Sequence, residues 1–169
     1  LETLYKVRGE IIMKVSQQGN TVILEDIKHF NPKHIFECGQ CFRWIKQEDD
    51  SYTGVAMGKV INVKQDGNKI YLDNTTKEDF DNIWYDYFDL GRDYEEMVNT
   101  LKVMDEYLEK ATEFCEGIRI LKQDGWEMLI SFIISANNRI PMIQRAINNL
   151  SKNYGTYIGE YKGQEYYAF

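Results

Sequence analysis

From Leu4 to Asn74 apolar residues come in short runs separated by turn-forming residues, the pattern of an antiparallel sheet. Val22, Ile23 and Leu24 follow the turn Gln18-Gly19-Asn20. Lys59 to Val63 and Lys69 to Leu72 flank Asp66-Gly67-Asn68, and Asp-Gly between such runs predicts a hairpin. Phe42-Arg43-Trp44-Ile45 leads into the polar loop Glu48 to Ser51, after which Tyr52 to Ala56 is extended again.

At Asn74-Thr75-Thr76-Lys77-Glu78-Asp79 the period changes. Polar caps and early acids suit a helix start, and Phe80, Ile83, Trp84, Tyr87 and Phe88 recur at helical spacing. A second, long helix is predicted from Tyr94 to Phe114, with Met97, Leu101, Met104, Leu108 and Ala111 as its core-packing stripe. Asp124 then opens a short, very apolar helix, Trp126 to Ile134, expected to be buried on nearly every side. A last helix, Pro141 to Asn153, carries Pro in its opening turn, where the missing N–H costs little, and closes near Gly155. Sheet first and helices after is an α+β layout.

The 169 residues, 43% hydrophobic and 28% charged, suit one globular domain or two small ones, with no run of 18 apolar residues for a membrane span. A net charge of −7 argues against a polyanionic ligand, but the charge is unevenly spread. Residues 1–127 hold 16 basic and 25 acidic side chains. Between Glu127 and Glu160 there is no acid at all, while Arg139, Arg145 and Lys152 fall in that interval. The stretch is either an anion-facing surface or a helical segment that happens to lack acids. Three cysteines, an odd number, without a secretory signal predict reduced thiols and a cytoplasmic location. Residues 1–12, ahead of Met13, are set apart as a leader or as residues added upstream.

Two clusters invite chemistry. Cys38-Gly39-Gln40-Cys41 is a C-x-x-C pair, and with His29 and His34 it offers four zinc ligands at irregular spacing. As a redox pair it lacks the helix N-terminus that would lower a thiol pKa, so the plain alternative is two small side chains near a tight backbone. Ser135-Ala136-Asn137-Asn138-Arg139 joins two predicted helices with unusual hydrogen-bonding capacity, or else is simply a cap and turn. With two histidines, both in the first 34 residues, and no phosphate-loop motif, Ser/His/Asp chemistry and phosphate-loop chemistry find no support.

Three segments, in order and in register, resemble the 8-oxoguanine DNA glycosylase family: Gly39-Gln40-Cys41-Phe42-Arg43-Trp44, then Tyr87-Phe88-Asp89-Leu90, then Gly117-Ile118-Arg119-Ile120-Leu121-Lys122-Gln123-Asp124 continuing through Glu127, Leu129, Ser131-Phe132-Ile133 and Ser135-Ala136-Asn137-Asn138. The resemblance covers about Met13 to Phe169. It implies an N-terminal twisted antiparallel sheet with helices over 13–116, likened to the TATA-binding protein, and the first helices of a helix-hairpin-helix glycosylase domain over 117–169.

The implied activity is base excision repair: a DNA N-glycosylase and AP lyase, acting through a Schiff base on flipped 8-oxoguanine. No cofactor or metal is implied, the partner is double-stranded DNA containing 8-oxoguanine, and the protein is expected to be a monomer, nucleoid-associated in a prokaryote. By resemblance the catalytic Lys and Asp fall beyond Phe169, which leaves a stand-alone non-catalytic binding module as the alternative. Gly39 maps to the residue whose carbonyl reads the proton on N7 of the oxidised base, and Asn137 to the residue that fills the space left by that base. Met142 stands where mammalian relatives have an Arg that hydrogen-bonds the opposite cytosine, so preference for cytosine is expected to be weak. Arg139, Arg145 and Lys152 are assigned to the DNA backbone, and Gln40, Phe42, Arg43 and Asn138 to structural support.

Overall fold

A computed structural model describes residues 3–7 and 10–169; Leu1, Glu2, Arg8 and Gly9 of the segment set apart in the sequence lie outside them. Seven strands form one antiparallel sheet in the order β1-β2-β3-β7-β6-β5-β4. They are β1 (Thr3–Val7), β2 (Glu10–Gln18), β3 (Thr21–Glu25), β4 (Trp44–Lys46), β5 (Tyr52–Ala56), β6 (Lys59–Asp66) and β7 (Lys69–Asp73). Every neighbouring pair is joined by a short hairpin except β3 and β7, whose long-range register runs from Thr21↔Asp73 to Glu25↔Lys69. Met57 and Gly58 both take positive φ in the two-residue turn between β5 and β6, the geometry that matches strand twist.

Side chains alternate across this sheet. Met13, Val15, Val22, Leu24, Ile61, Val63, Ile70 and Leu72 point to one face and bury against Phe80, Trp84, Tyr87 and Phe88. Those aromatics lie on or just after a continuous helical run, α2 (Lys77–Asp79), a π turn (Phe80–Trp84) and α3 (Tyr85–Tyr87). Thr76 caps the run by accepting from the Asp79 N–H at 3.1 Å, as the polar start in the sequence suggested. The π turn, absent from a strict 3.6 period, keeps Phe80, Trp84 and Tyr87 all buried.

Four expectations are corrected. Pro32–Phe36, read as part of the strand region, is a short helix, α1, capped by Asn31 Oδ1. The predicted helix 94–114 is two helices, α4 (Tyr94–Lys102) and α5 (Glu106–Phe114), because extended Asp105 breaks the run and caps the Tyr107 and Leu108 N–H groups at 2.8 and 2.9 Å. Its stripe is not core, since Met97, Met104 and Ala111 are exposed. The apolar helix, α6 (Gly125–Ser135), is capped by Asp124 as predicted but has no buried residue, and Phe132 is 73% exposed. Among the described residues no element covers that face, so apolar composition alone did not produce burial.

The final helix, α7 (Ile140–Tyr154), agrees with the sequence, with Pro141 in its first turn and Ile143, Ile147 and Ser151 on its buried face. Beyond it lies a hairpin that the pattern did not show, β8 (Thr156–Tyr161) and β9 (Gln164–Ala168). It folds back on the reverse side of the sheet, where Tyr161 donates to Asp73 Oδ2 at 2.6 Å.

Candidate functional site

The three motif segments meet in space. After α1 the chain turns through Gly39, whose φ of +87° lies in the left-handed region. Gln40 then ties this loop to residues 119–123, far along the chain. Its Nε2 donates to Ile35 O at 2.9 Å and to Arg119 O at 2.8 Å, its Oε1 accepts from Leu121 N at 3.0 Å, and its carbonyl accepts from Gln123 Nε2 at 2.6 Å. Trp44 stacks on Phe36 with ring centroids 3.9 Å apart and donates its Nε1–H to Tyr87 OH at 3.0 Å. The second motif thereby supports the first.

Arg119 anchors the third segment. Its guanidinium donates to the carbonyls of His29, Asp89 and Lys28 at 2.7, 2.9 and 3.0 Å and lies 4.4 Å from the Tyr94 ring centroid. Burial lowers its pKa to about 10, with Tyr94 and Asp89 opposing the shift. Gly117 also answers to space: a Cβ there would lie 2.8 Å from Asn31 N, and its φ is +81°. Asn31 N in turn donates to Gly117 O at 2.9 Å.

Arg43 lies at the seam between sheet and helices. It donates from Nη2 to Tyr167 O, faces Phe169 at 5.6 Å, and pairs with Glu127 Oε2 on α6 at 3.7 Å. Its Nε and Nη1 have no hydrogen-bond partner. Burial pushes the Glu127 carboxyl up and the Arg43 guanidinium down, each opposed by the charge of the other.

A cavity of about 690 Å³ opens beside this frame, lined by Gly39, Phe42, Trp44 and Tyr52 on one side and by Pro141 and Arg145 of α7 on the other. Gly39 and Phe42 of the first motif are thus brought together with Arg145, far along the chain. Asn137, Arg139 and Met142 stand outside that lining, all exposed. Asn137 takes φ +52° at the end of α6, so it serves as a turn residue whatever else it does. Asn138 holds the junction by donating to Ile134 O at 3.2 Å and accepting from Arg139 N at 2.9 Å. Lys152 lines a different cavity, of about 510 Å³, together with Arg43.

Three of the four candidate metal ligands have other occupations, and His29 Nδ1 is buried without a hydrogen-bond partner. His34 Nδ1 lies 2.7 Å from Glu116 O, and the Cys38 thiol donates to Ile35 O at 3.4 Å. Burial pushes the Cys41 thiol well above its ordinary pKa, unlike a metal-bound thiolate or a redox nucleophile. Among the described residues no group of three or more His, Cys, Asp or Glu could hold a metal ion. Sequence reasoning assigned no part in the site to Arg119 and Gln123, which hold the Gly39 loop, or to Tyr52 and Pro141, which line the cavity. Only the Gly117–Asp124 motif signalled the first two.

A family model described as 8-oxoguanine DNA glycosylase, N-terminal domain, matches residues 22–129. The N-glycosylase/DNA lyase of Saccharomyces cerevisiae is 31% identical over 150 residues, covering 80% of this chain and 39% of the relative. The N-glycosylase/DNA lyase OGG1 of Arabidopsis thaliana is 26% identical over 139 residues, covering 79% and 38%. The chain therefore spans about two fifths of the curated relatives it matches. Among solved structures, the 8-oxoguanine glycosylase/lyase of Clostridium acetobutylicum, in complex with dsDNA containing cytosine opposite 8-oxoG, superposes with a TM-score of 0.88 at 49% identity, over 92% of this chain and 53% of that one. MBOgg1 bound to a low-affinity DNA ligand gives 0.89 at 52% identity, over 93% and 54%.

Proposed function

Because the chain belongs to the 8-oxoguanine DNA glycosylase family, we propose that it forms the N-terminal part of a DNA N-glycosylase with AP lyase activity that excises oxidised guanine. The observation that carries this reading is the cavity in which Gly39 and Phe42 face the start of α7 across one opening. Oxidation at C8 puts a proton on N7 and turns an acceptor into a donor. In this reading the N7–H donates a hydrogen bond to the Gly39 carbonyl, whereas undamaged guanine meets it with a lone pair, at a cost of about 1–3 kcal/mol for an unsatisfied buried acceptor. The base must leave the stack to reach the cavity. Asn137, exposed at the α6–α7 junction, would fill the gap, and Arg139, Arg145 and Lys152, all exposed on or beside α7, would face the phosphates. The family's Lys, which attacks C1′ and forms the Schiff base, and its Asp are assigned to sequence that follows Phe169. Residues 117–169 then open the helical glycosylase domain.

The test is single-turnover excision by the full-length protein on 8-oxoguanine duplexes with each of the four opposite bases. Excision is expected on all four with little preference, because the Met142 thioether is a poor hydrogen-bond partner. Met142→Arg is expected to raise preference for cytosine about 5-fold to 150-fold, the range of an Arg contact to a base edge. Asn137→Ala should slow excision opposite every base. Absence of excision, or of a borohydride-trapped adduct with lesion DNA, overturns the enzyme reading in favour of a binding module.

A further inference from the structure

Damage recognition by a carbonyl depends on where that carbonyl points. Gly39 is a poor residue to fix a direction by itself: its φ is +87°, and a Cβ built there would meet nothing within 4 Å, so no neighbour packs against it. Among the described residues none donates to its carbonyl, which is left free for a ligand. The Gly39–Gln40 peptide is held instead from its C-terminal side. Both N–H groups of the Gln40 amide and its oxygen are engaged, by Ile35 O, Arg119 O and Leu121 N. The Gln40 carbonyl is engaged as well, by Gln123 Nε2 at 2.6 Å. The far side of this clamp is rigid, because Arg119 is itself pinned by three backbone carbonyls and the Tyr94 ring.

We propose that Gln40 is a positioning residue for damage recognition: its amide, bridging the 35–41 loop to residues 119–121, sets the direction of the Gly39 carbonyl and so the discrimination at N7. The proposal rests on the carbonyl reading above. Hydrogen bonds weaken steeply with misalignment, and a functional group must be held to within about 0.5 Å and 10–20° of its working geometry. Glycine has enough backbone freedom to lose that alignment once the clamp is released. Gln40→Met keeps the length and apolar stem of the side chain and deletes all three of its hydrogen bonds.

The experiment measures binding of the full-length protein to three duplexes, carrying 8-oxoguanine, guanine or 7-deaza-8-oxoguanine. In the last, a C–H replaces the N7–H. Each target nucleoside bears a 2′-fluorine to keep its glycosidic bond intact during binding. Wild type should favour 8-oxoguanine over both comparators. Gln40→Met should cut both ratios about 10-fold, and Gln123→Leu, which frees only the Gln40 carbonyl, about 3-fold, since each loss misaligns one hydrogen bond. Gln40→Met binding that weakens equally on all three duplexes, with ratios within about 2-fold of wild type, overturns the positioning role and leaves a purely structural one. If Gln40→Met does not fold, the Gln123→Leu ratios decide by the same criterion. A wild-type protein that binds 8-oxoguanine and its 7-deaza analogue equally overturns the carbonyl reading itself, a result separable from the first because it needs no variant.

Discussion

Trp84 and Phe132 are both large aromatics on helical segments, the first amphipathic and the second almost wholly apolar, yet Trp84 is fully buried and Phe132 is 73% exposed. The difference lies in what faces them. The helix carrying Trp84 lies on a sheet whose strands offer alternate apolar residues, and the indole N–H finds Thr75 Oγ1 at 2.8 Å. The helix carrying Phe132 packs on α7 and pairs with Arg43 through Glu127, and among the described residues nothing buries its Trp126, Leu129, Phe132 and Ile133. Burial is a property of a pair of surfaces, so a helix can be apolar all round and still lie open within its own chain.

Trp84→Ala should have the largest effect, a loss of about 3–5 kcal/mol from a filled core site, read by urea unfolding. Gly54→Ala should cost about 1–3 kcal/mol, because the added Cβ would lie 2.3 Å from Trp44 Cδ2 and the ring, stacked on Phe36, cannot swing away.

Glu127 samples the seam between the two regions. Burial raises its folded pKa above the unfolded value, so the folded state binds the proton more tightly and stability falls as pH rises through that window. Mild acidification from pH 7 towards the ordinary carboxylate range should therefore stabilise wild type. Glu127→Gln should lack that component when urea midpoints are compared at the two ends of the range. A wild type that loses stability through Glu127 over the same interval would show the seam to be an ordinary exposed ion pair.

Phe132→Ser should have the smallest effect, within about 0.5 kcal/mol, with improved solubility of the 169-residue chain. A loss above about 1.5 kcal/mol would break the comparison, by showing that the α6 face is buried after all.

Much of the fold was legible because it is locally encoded. The Asp66-Gly67 turn, the caps at Thr76 and Asp124, and Pro141 opening α7 each express backbone chemistry within a few residues. The break at Asp105 was equally local and was missed, because a continuing apolar stripe outweighed a cap residue in its middle. The β8–β9 hairpin was missed for a different reason: its strands are Tyr-rich and Gly-interrupted, and its turn, Lys162-Gly163, has no strong signature. For the site, the sequence singled out Gly39, Phe42 and Arg145 one by one. It did not show that they share a cavity or that Asn137, Arg139 and Met142 lie outside it.

By itself the sequence determined the α+β order, the turns and caps, and three motif segments whose register marks the family. Those depend on interactions within a few residues or on identity at fixed positions. Tertiary structure alone decided that the backbone of Arg119, 79 residues further along the chain, receives the Gln40 amide and holds the Gly39 loop, and that α6 stays open while the run carrying Phe80 and Trp84 is closed. Such facts arise from which surfaces meet. A hydrogen bond or a buried face needs two partners at a defined distance, and one-dimensional spacing specifies only one of them.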